Sequence, residues 1–199
     1  MSGTAGERAA AITAEPSNWN AANALTVLRL VLVPFFIWFL LTEDGQETGW
    51  RIAAFVVFLV AALTDRIDGD LARRRGLVTD FGKLVDPIAD KALTGAAFVG
   101  LSLLGELTWW VTVVVMAREL GITALRFWVL RHGVMAASRG GKIKTVLQAT
   151  ALSFYILPLS GLLESLGTVV MAAAVLVTVV TGADYVLQAL RARRDRAQV

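Results

Sequence analysis

The chain has 199 residues, of which 56% are hydrophobic and only 18% charged, with a mean hydropathy of +0.65, a net charge of +3 and no cysteine. A soluble domain of this size has no use for so many uninterrupted apolar runs, so the composition excludes one and points to an all-α integral membrane protein. Without cysteine, disulfides and thiolate chemistry are excluded as well.

In chain order, residues 1–16 lack the basic start and apolar core of a signal peptide and read as a flexible tail that is not cleaved. From Pro16 the stretch PSNWNAANALTVLRL is expected to form an interfacial amphipathic helix, with Trp19 at headgroup level. Apolar runs then predict six transmembrane helices near 24–42, 51–73, 86–104, 108–130, 145–163 and 168–190, so that 17–190 forms one membrane domain and 191–199 a basic tail. Trp109 and Trp110 are expected in the outer aromatic belt.

The connecting loops are unequal in charge. TEDGQETG, GE and SGLLESLG carry no lysine or arginine, whereas RRRGLVTDFGK, RHGVMAASRGGKIK and RARRDRAQV are rich in them. Short basic loops stay in the cytoplasm, so both termini and the aspartate-rich stretch that contains RRRGLVTDFGK are expected on that side of a bacterial cytoplasmic membrane. The basic residues flank spans, which makes anionic lipid rather than nucleic acid their partner.

The chemistry concentrates in DRIDGDLARRRGLVTDFGKLVDPIADKA, residues 65–92. On a helix Asp65 and Asp68 share a face, as do Asp86 and Asp90, and the turn between them sets the two pairs opposite each other. Unpaired carboxylates so close would repel, and four oxygen donors suit hard divalent cations. Pro87 leaves two places open for Asp86, at a helix cap or just before a kink. Gly69 and Gly82 permit close approach to the backbone, Ala72 is small, and Arg73 offers a fork for phosphate oxygens. Together these groups suggest a metal-bridged diphosphate. Structural ion pairing of the aspartates with Arg66, Arg73 and Lys91 is the plain alternative.

The spacing Asp65-x2-Asp68-Gly69-x2-Ala72-Arg73-x8-Gly82-x3-Asp86-x3-Asp90 resembles the complete motif of the CDP-alcohol phosphatidyltransferases. NALTVLR, with Asn23, Thr26 and Arg29, is similar to the segment that opens the family's first span, and the resemblance covers roughly 18–190. It implies that an alcohol attacks the lipid-side phosphorus of a CDP-linked lipid such as CDP-diacylglycerol and that CMP leaves. It implies two Mg²⁺ or Mn²⁺ ions on Asp65, Asp68, Asp86 and Asp90, with Asp90 also the base that takes the alcohol proton. Thr26, Asp68, Gly69, Ala72, Arg73 and Gly82 would then line the donor site, and the protein would be a homodimer.

Two further segments bear on the acceptor, MARELGITALRFW with Arg118 and Glu119, and AASRGGKIKTVLQ with Arg139, Lys142 and Lys144. Four cations beside a carboxylate centre would make an anion pocket, as an acceptor with its own phosphate requires. Both segments resemble those of the family branch that uses sn-glycerol 3-phosphate. Inositol phosphate or phosphatidylglycerol as acceptor is the alternative within the family, and an Arg118–Glu119 pair that only staples the bundle is the alternative for that helix. From other classes, a divalent-cation transporter would want its acids spread through the membrane depth, and a polyprenyl transferase would lack the Gly-x2-Ala-Arg continuation.

Overall fold

The computed structural model describes residues 20–75, 79–130 and 139–196, with the side chains of 21–22, 66–75, 80–81, 83–84, 126–130, 139–142 and 189–196 outside the description. The N-terminal tail, residues 16–19 of the expected interfacial stretch and the end of the basic tail fall outside the described residues, while 21–30 of that stretch form the start of α1 rather than a separate helix. All regular structure in the described residues is helical. The helices are α1 Ala21–Leu41, α2 Thr48–Arg75, α3 Asp80–Leu103, α4 Trp109–Leu130, α5 Arg139–Ile156 and α6 Leu162–Arg196.

Local chemistry fixes the ends of these helices. Asn20 caps α1, its side chain accepting from the Asn23 amide at 3.0 Å. Between α1 and α2 the chain reverses through a short 3₁₀ turn in which Glu43, Asp44 and Gly45 all take positive φ. Thr79 caps α3 by accepting from the Gly82 amide at 3.0 Å, so this helix starts at Asp80, six residues before the 86 expected from the apolar run. Asp86 therefore lies inside the helix, away from the cap, with Pro87 tolerated in the second turn. The fifth helix ends at Ile156, short of the expected 163, because Pro158 biases its neighbour away from helical geometry. The turn to α6 is thus LPLSG, closed by Gly161 at φ +65.

Packing brings α1 against both α2 and α3, α6 against α4 and α5, and α5 against α2 and α3. The core joins Phe36, Leu40, Phe58, Leu93, Phe98, Leu101, Val115, Leu152 and Met171. Helices approach closely where a side chain is missing: a Cβ on Gly100 would lie 2.7 Å from Leu40 Cδ2, and one on Gly167 2.9 Å from Phe154 Cβ. The outside is apolar, with Leu162, Val169 and Leu176 exposed one heptad apart on α6, while Arg29, Arg51, Glu119, Lys144 and Gln148 are buried. Water would favour the reverse distribution; hydrocarbon favours this one.

Among the described residues three stretches are long and apolar enough to cross a bilayer: Asn23–Gly45, Thr48–Asp65 and Leu162–Gln188. The other helices carry ionisable residues, among them Asp86, Asp90 and Lys91 on α3 and Arg118 and Glu119 on α4, and those residues make the site.

Candidate active site

The site is organised by one polar face of an otherwise apolar helix. Asn23, Thr26 and Arg29 recur every three residues along α1, share a face, and are all buried. Each reaches a different part of the carboxylate hairpin. Arg29 Nη1 pairs with Asp65 Oδ1 on α2 at 2.7 Å, and the Thr26 hydroxyl donates to Asp86 Oδ1 on α3 at 2.6 Å. Asn23 Nδ2 donates to the hydroxyl of Thr79, the cap of α3, at 2.8 Å. Among the described residues α2 and α3 make few contacts with each other, and α1 packs against both and ties a carboxylate on each to itself.

Gly82 sits at this junction. A Cβ there would lie 2.7 Å from Asn23 Oδ1 and 3.3 Å from Thr79 Oγ1, so the close approach that this glycine permits is to α1 itself. Thr79 escaped the reading of the sequence, although a threonine immediately before an aspartate is an ordinary helix-start signal.

A cavity of about 270 Å³ opens between α2, α3 and α5. Its wall brings together Asp65, Asp90, Lys91, Lys144 and Arg29 with the apolar side chains of Phe58, Leu59, Leu63, Val146 and Leu152. Asp90 Oδ2 accepts from Lys91 Nζ at 3.0 Å, and Asp65 lies within electrostatic reach of both Asp86 and Asp90.

Of the residues expected from the sequence, Asp65, Asp90 and Lys144 line this space, while Thr26 and Asp86 are bonded to each other and do not line it. Asp68, Gly69, Ala72 and Arg73 lie on α2, and Arg139 and Lys142 on α5, with side chains outside the described residues. Arg118 does not line the cavity; its guanidinium donates to Glu119 Oε1 and Thr181 Oγ1, each at 3.1 Å. Lys91, which the sequence suggested only as a structural ion-pair partner, does line it.

Among the described residues no three acidic or imidazole side chains are close enough to enclose one ion. The donor set nevertheless fits a hard divalent cation. Asp65, Asp86 and Asp90 offer only oxygens, they stand on two helices that α1 joins, and their present partners Arg29, Thr26 and Lys91 leave carboxylate lone pairs over.

An apolar-faced helical bundle that buries carboxylates and ammonium groups together at one end has the constitution of a membrane enzyme acting on phosphate esters. The chain belongs to the CDP-alcohol phosphatidyltransferase family, whose model matches residues 19–180. It is 55% identical over 172 residues to a probable phosphatidylglycerophosphate synthase of Mycobacterium tuberculosis H37Rv, covering 86% of this chain and 82% of that protein. It is 34% identical over 180 residues to a CDP-diacylglycerol–glycerol-3-phosphate 3-phosphatidyltransferase of Bacillus subtilis, covering 84% of this chain and 93% of the relative. A protein of the same name from Escherichia coli K12 is 41% identical over 142 residues, 68% of this chain and 76% of its own. Family and apolar helices together make this a membrane-embedded protein.

Proposed function

We propose that the protein transfers a phosphatidyl group from CDP-diacylglycerol to sn-glycerol 3-phosphate, giving phosphatidylglycerophosphate and CMP. The observation that carries this reading is the single cavity in which the carboxylates of Asp65 and Asp90 meet the ammonium groups of Lys91 and Lys144, beside an apolar groove. The names of the relatives fit the same substrates.

The acceptor hydroxyl attacks the lipid-side phosphorus, the bond from that phosphorus to the CMP oxygen breaks, and the hydroxyl proton goes to Asp90. Asp65, Asp68, Asp86 and Asp90 would hold the Mg²⁺ or Mn²⁺ ions, two per site, that neutralise charge on the diphosphate when bound. Thr26 orients Asp86, and Arg29 fixes Asp65, so neither carboxylate has to be ordered at the moment of binding. Arg73 with Gly69, Ala72 and Gly82 belongs to the donor side. Lys144 reaches the cavity from α5, and Arg139 and Lys142 complete the cationic surround of the acceptor phosphate, while Arg118 stands behind it between Glu119 and α6.

We read all six helices as spans, because Lys91, Glu119 and Lys144 on α3, α4 and α5 pair with one another inside the bundle while Ile88, Val113, Leu120 and Ile143 on the same helices face outward. Both termini and the site face the cytoplasm of a bacterial inner membrane, and two copies associate as a homodimer by family resemblance. Cysteines placed at Gln46 and Ser165 are expected to label from the periplasm, and cysteines at Val78 and Val134 only after permeabilisation. Labelling of Val78 in intact cells would overturn this orientation.

The reaction is tested with purified protein, CDP-diacylglycerol and Mg²⁺ against glycerol 3-phosphate, inositol phosphate, serine and phosphatidylglycerol. CMP release is expected with glycerol 3-phosphate and not with the other three. Release with inositol phosphate alone would move the protein to another branch of the family, and no release with any acceptor would favour transport over transfer.

A further inference from the structure

A second charged cluster lies behind the cavity, where α3, α4 and α5 meet. Its centre is Glu119, only 3% exposed. Oε1 accepts from Arg118 Nη1 at 3.1 Å and from Lys144 Nζ, while Oε2 accepts from Lys91 Nζ. Three cations thus share one carboxylate. Their arrangement is polarised: Lys91 and Lys144 lie on the cavity wall, whereas Glu119 and Arg118 do not.

Arg118 anchors the cluster from the far side. Its other amino group donates to Thr181 on α6, and its stem fills the space left by Gly182, where a Cβ would come within 2.9 Å of Arg118 Cγ. Glu119 is in this way held from behind by one cation and presents two others forward. With both oxygens taken up by cations and neither at the cavity wall, it has no means of touching substrate.

An ammonium group in the interior of a membrane protein stays where a counter-charge holds it. Lys91 has Asp90 besides Glu119, but Lys144, buried as deeply as Glu119, has Glu119 as its only acidic partner among the described residues. We propose that Glu119 is a positioning residue of the acceptor site, holding the ammonium groups of Lys91 and Lys144 at the cavity wall where they receive the acceptor's phosphate. The proposal rests on the reading that this cavity takes a phosphate-bearing alcohol, and it adds Lys91 to the groups that bind it. The carboxylate is retained because without it the cations repel one another and Lys144 turns toward water.

The test is Glu119→Gln, purified in detergent and assayed for CMP release while each substrate is varied. The KM for glycerol 3-phosphate is expected to rise by about ten- to thirtyfold, the loss of roughly one charge-assisted contact, with donor KM and kcat within about threefold of the parent. In a Lys144→Met background the same substitution should add no more than about threefold, because its action runs through that lysine. Glu119→Asp keeps the charge and should recover part of the loss; where Glu119→Gln does not fold, Glu119→Asp takes its place, with a raised acceptor KM expected at unchanged donor KM. An unchanged or lowered acceptor KM, equal losses for donor and acceptor, or full additivity with Lys144→Met would overturn the proposal. Those outcomes presuppose an active parent, so they are distinct from a parent that releases no CMP with glycerol 3-phosphate, which would overturn the functional reading itself.

Discussion

Asp90→Asn is expected to lower CMP release by at least roughly a hundredfold, the lower range for losing a positioned general base and equivalent to about 2.7 kcal/mol of barrier. Asp90 lines the cavity and lies one helical turn from Asp86, which is where the proposed reaction brings the acceptor hydroxyl. The amide has the same size and still accepts the hydrogen bond from Lys91, which makes misfolding a poor explanation for the loss. It can neither take the proton nor carry the negative charge. Donor binding should suffer less, because Asp65 and Asp86 keep their partners on α1. Steady-state turnover together with CDP-diacylglycerol titration checks both halves, and near-normal turnover would remove Asp90 from the role of base.

Arg51→Met is expected to destabilise the fold by about 3 kcal/mol while leaving the chemistry of the folded enzyme nearly unchanged. Arg51 is 3% exposed at the start of α2. Its guanidinium donates to the carbonyls of Tyr155 and Ile156, the last residues of α5, with 2.8 Å to Ile156. It also donates to the Gly45 carbonyl at 3.2 Å and grips Glu106 in a two-pronged pair, with 2.7 Å from Nη2 to Oε2. One side chain therefore satisfies the orphan carbonyls of a helix end and joins three connections on the face opposite the site. Glu106 is a third exposed and can turn to water, so the cost comes mainly from the stranded carbonyls. Asp65 is fourteen residues further along α2, about 21 Å at 1.5 Å per residue, which is why turnover should change little. Chemical unfolding in detergent reads the stability, and CMP release per folded molecule reads the activity; a variant as stable as the parent would show Arg51 to be dispensable.

The aspartate hairpin was legible because its information is local. Asp65 to Asp90 spans a single helix–turn–helix, and the spacing of residues within it already decides which carboxylates share a face. Apolar run length located the helices for the same reason, although five boundaries, both ends of α5 and α6 and the start of α3, fell six or seven residues away. Thr79 starts α3 earlier than hydropathy suggests, since a cap is a hydrogen-bonding choice, and Pro158 ends α5 sooner, since an apolar proline does not interrupt hydropathy while it does interrupt a helix.

The cationic side of the site was only half legible. Arg118 drew attention as a charge in an apolar run, yet it faces α6, while Lys91, hidden beside Asp90, faces the cavity. Helical periodicity says which residues share a face and not which neighbour that face meets. The same holds for Gly82, whose place in the motif suggested a ligand and whose nearest neighbour is Asn23.

What the sequence by itself determined is the membrane character, the family and the identity of the carboxylates, because composition, run length and short-range spacing carry them. The tertiary structure alone decided that α1 holds Asp65 and Asp86 in place through Arg29 and Thr26, and that Glu119 gathers Lys91, Arg118 and Lys144 from three helices. These pairings join residues as many as 60 positions apart, and in a low-dielectric interior each charge goes to whatever counter-charge the packing brings within reach.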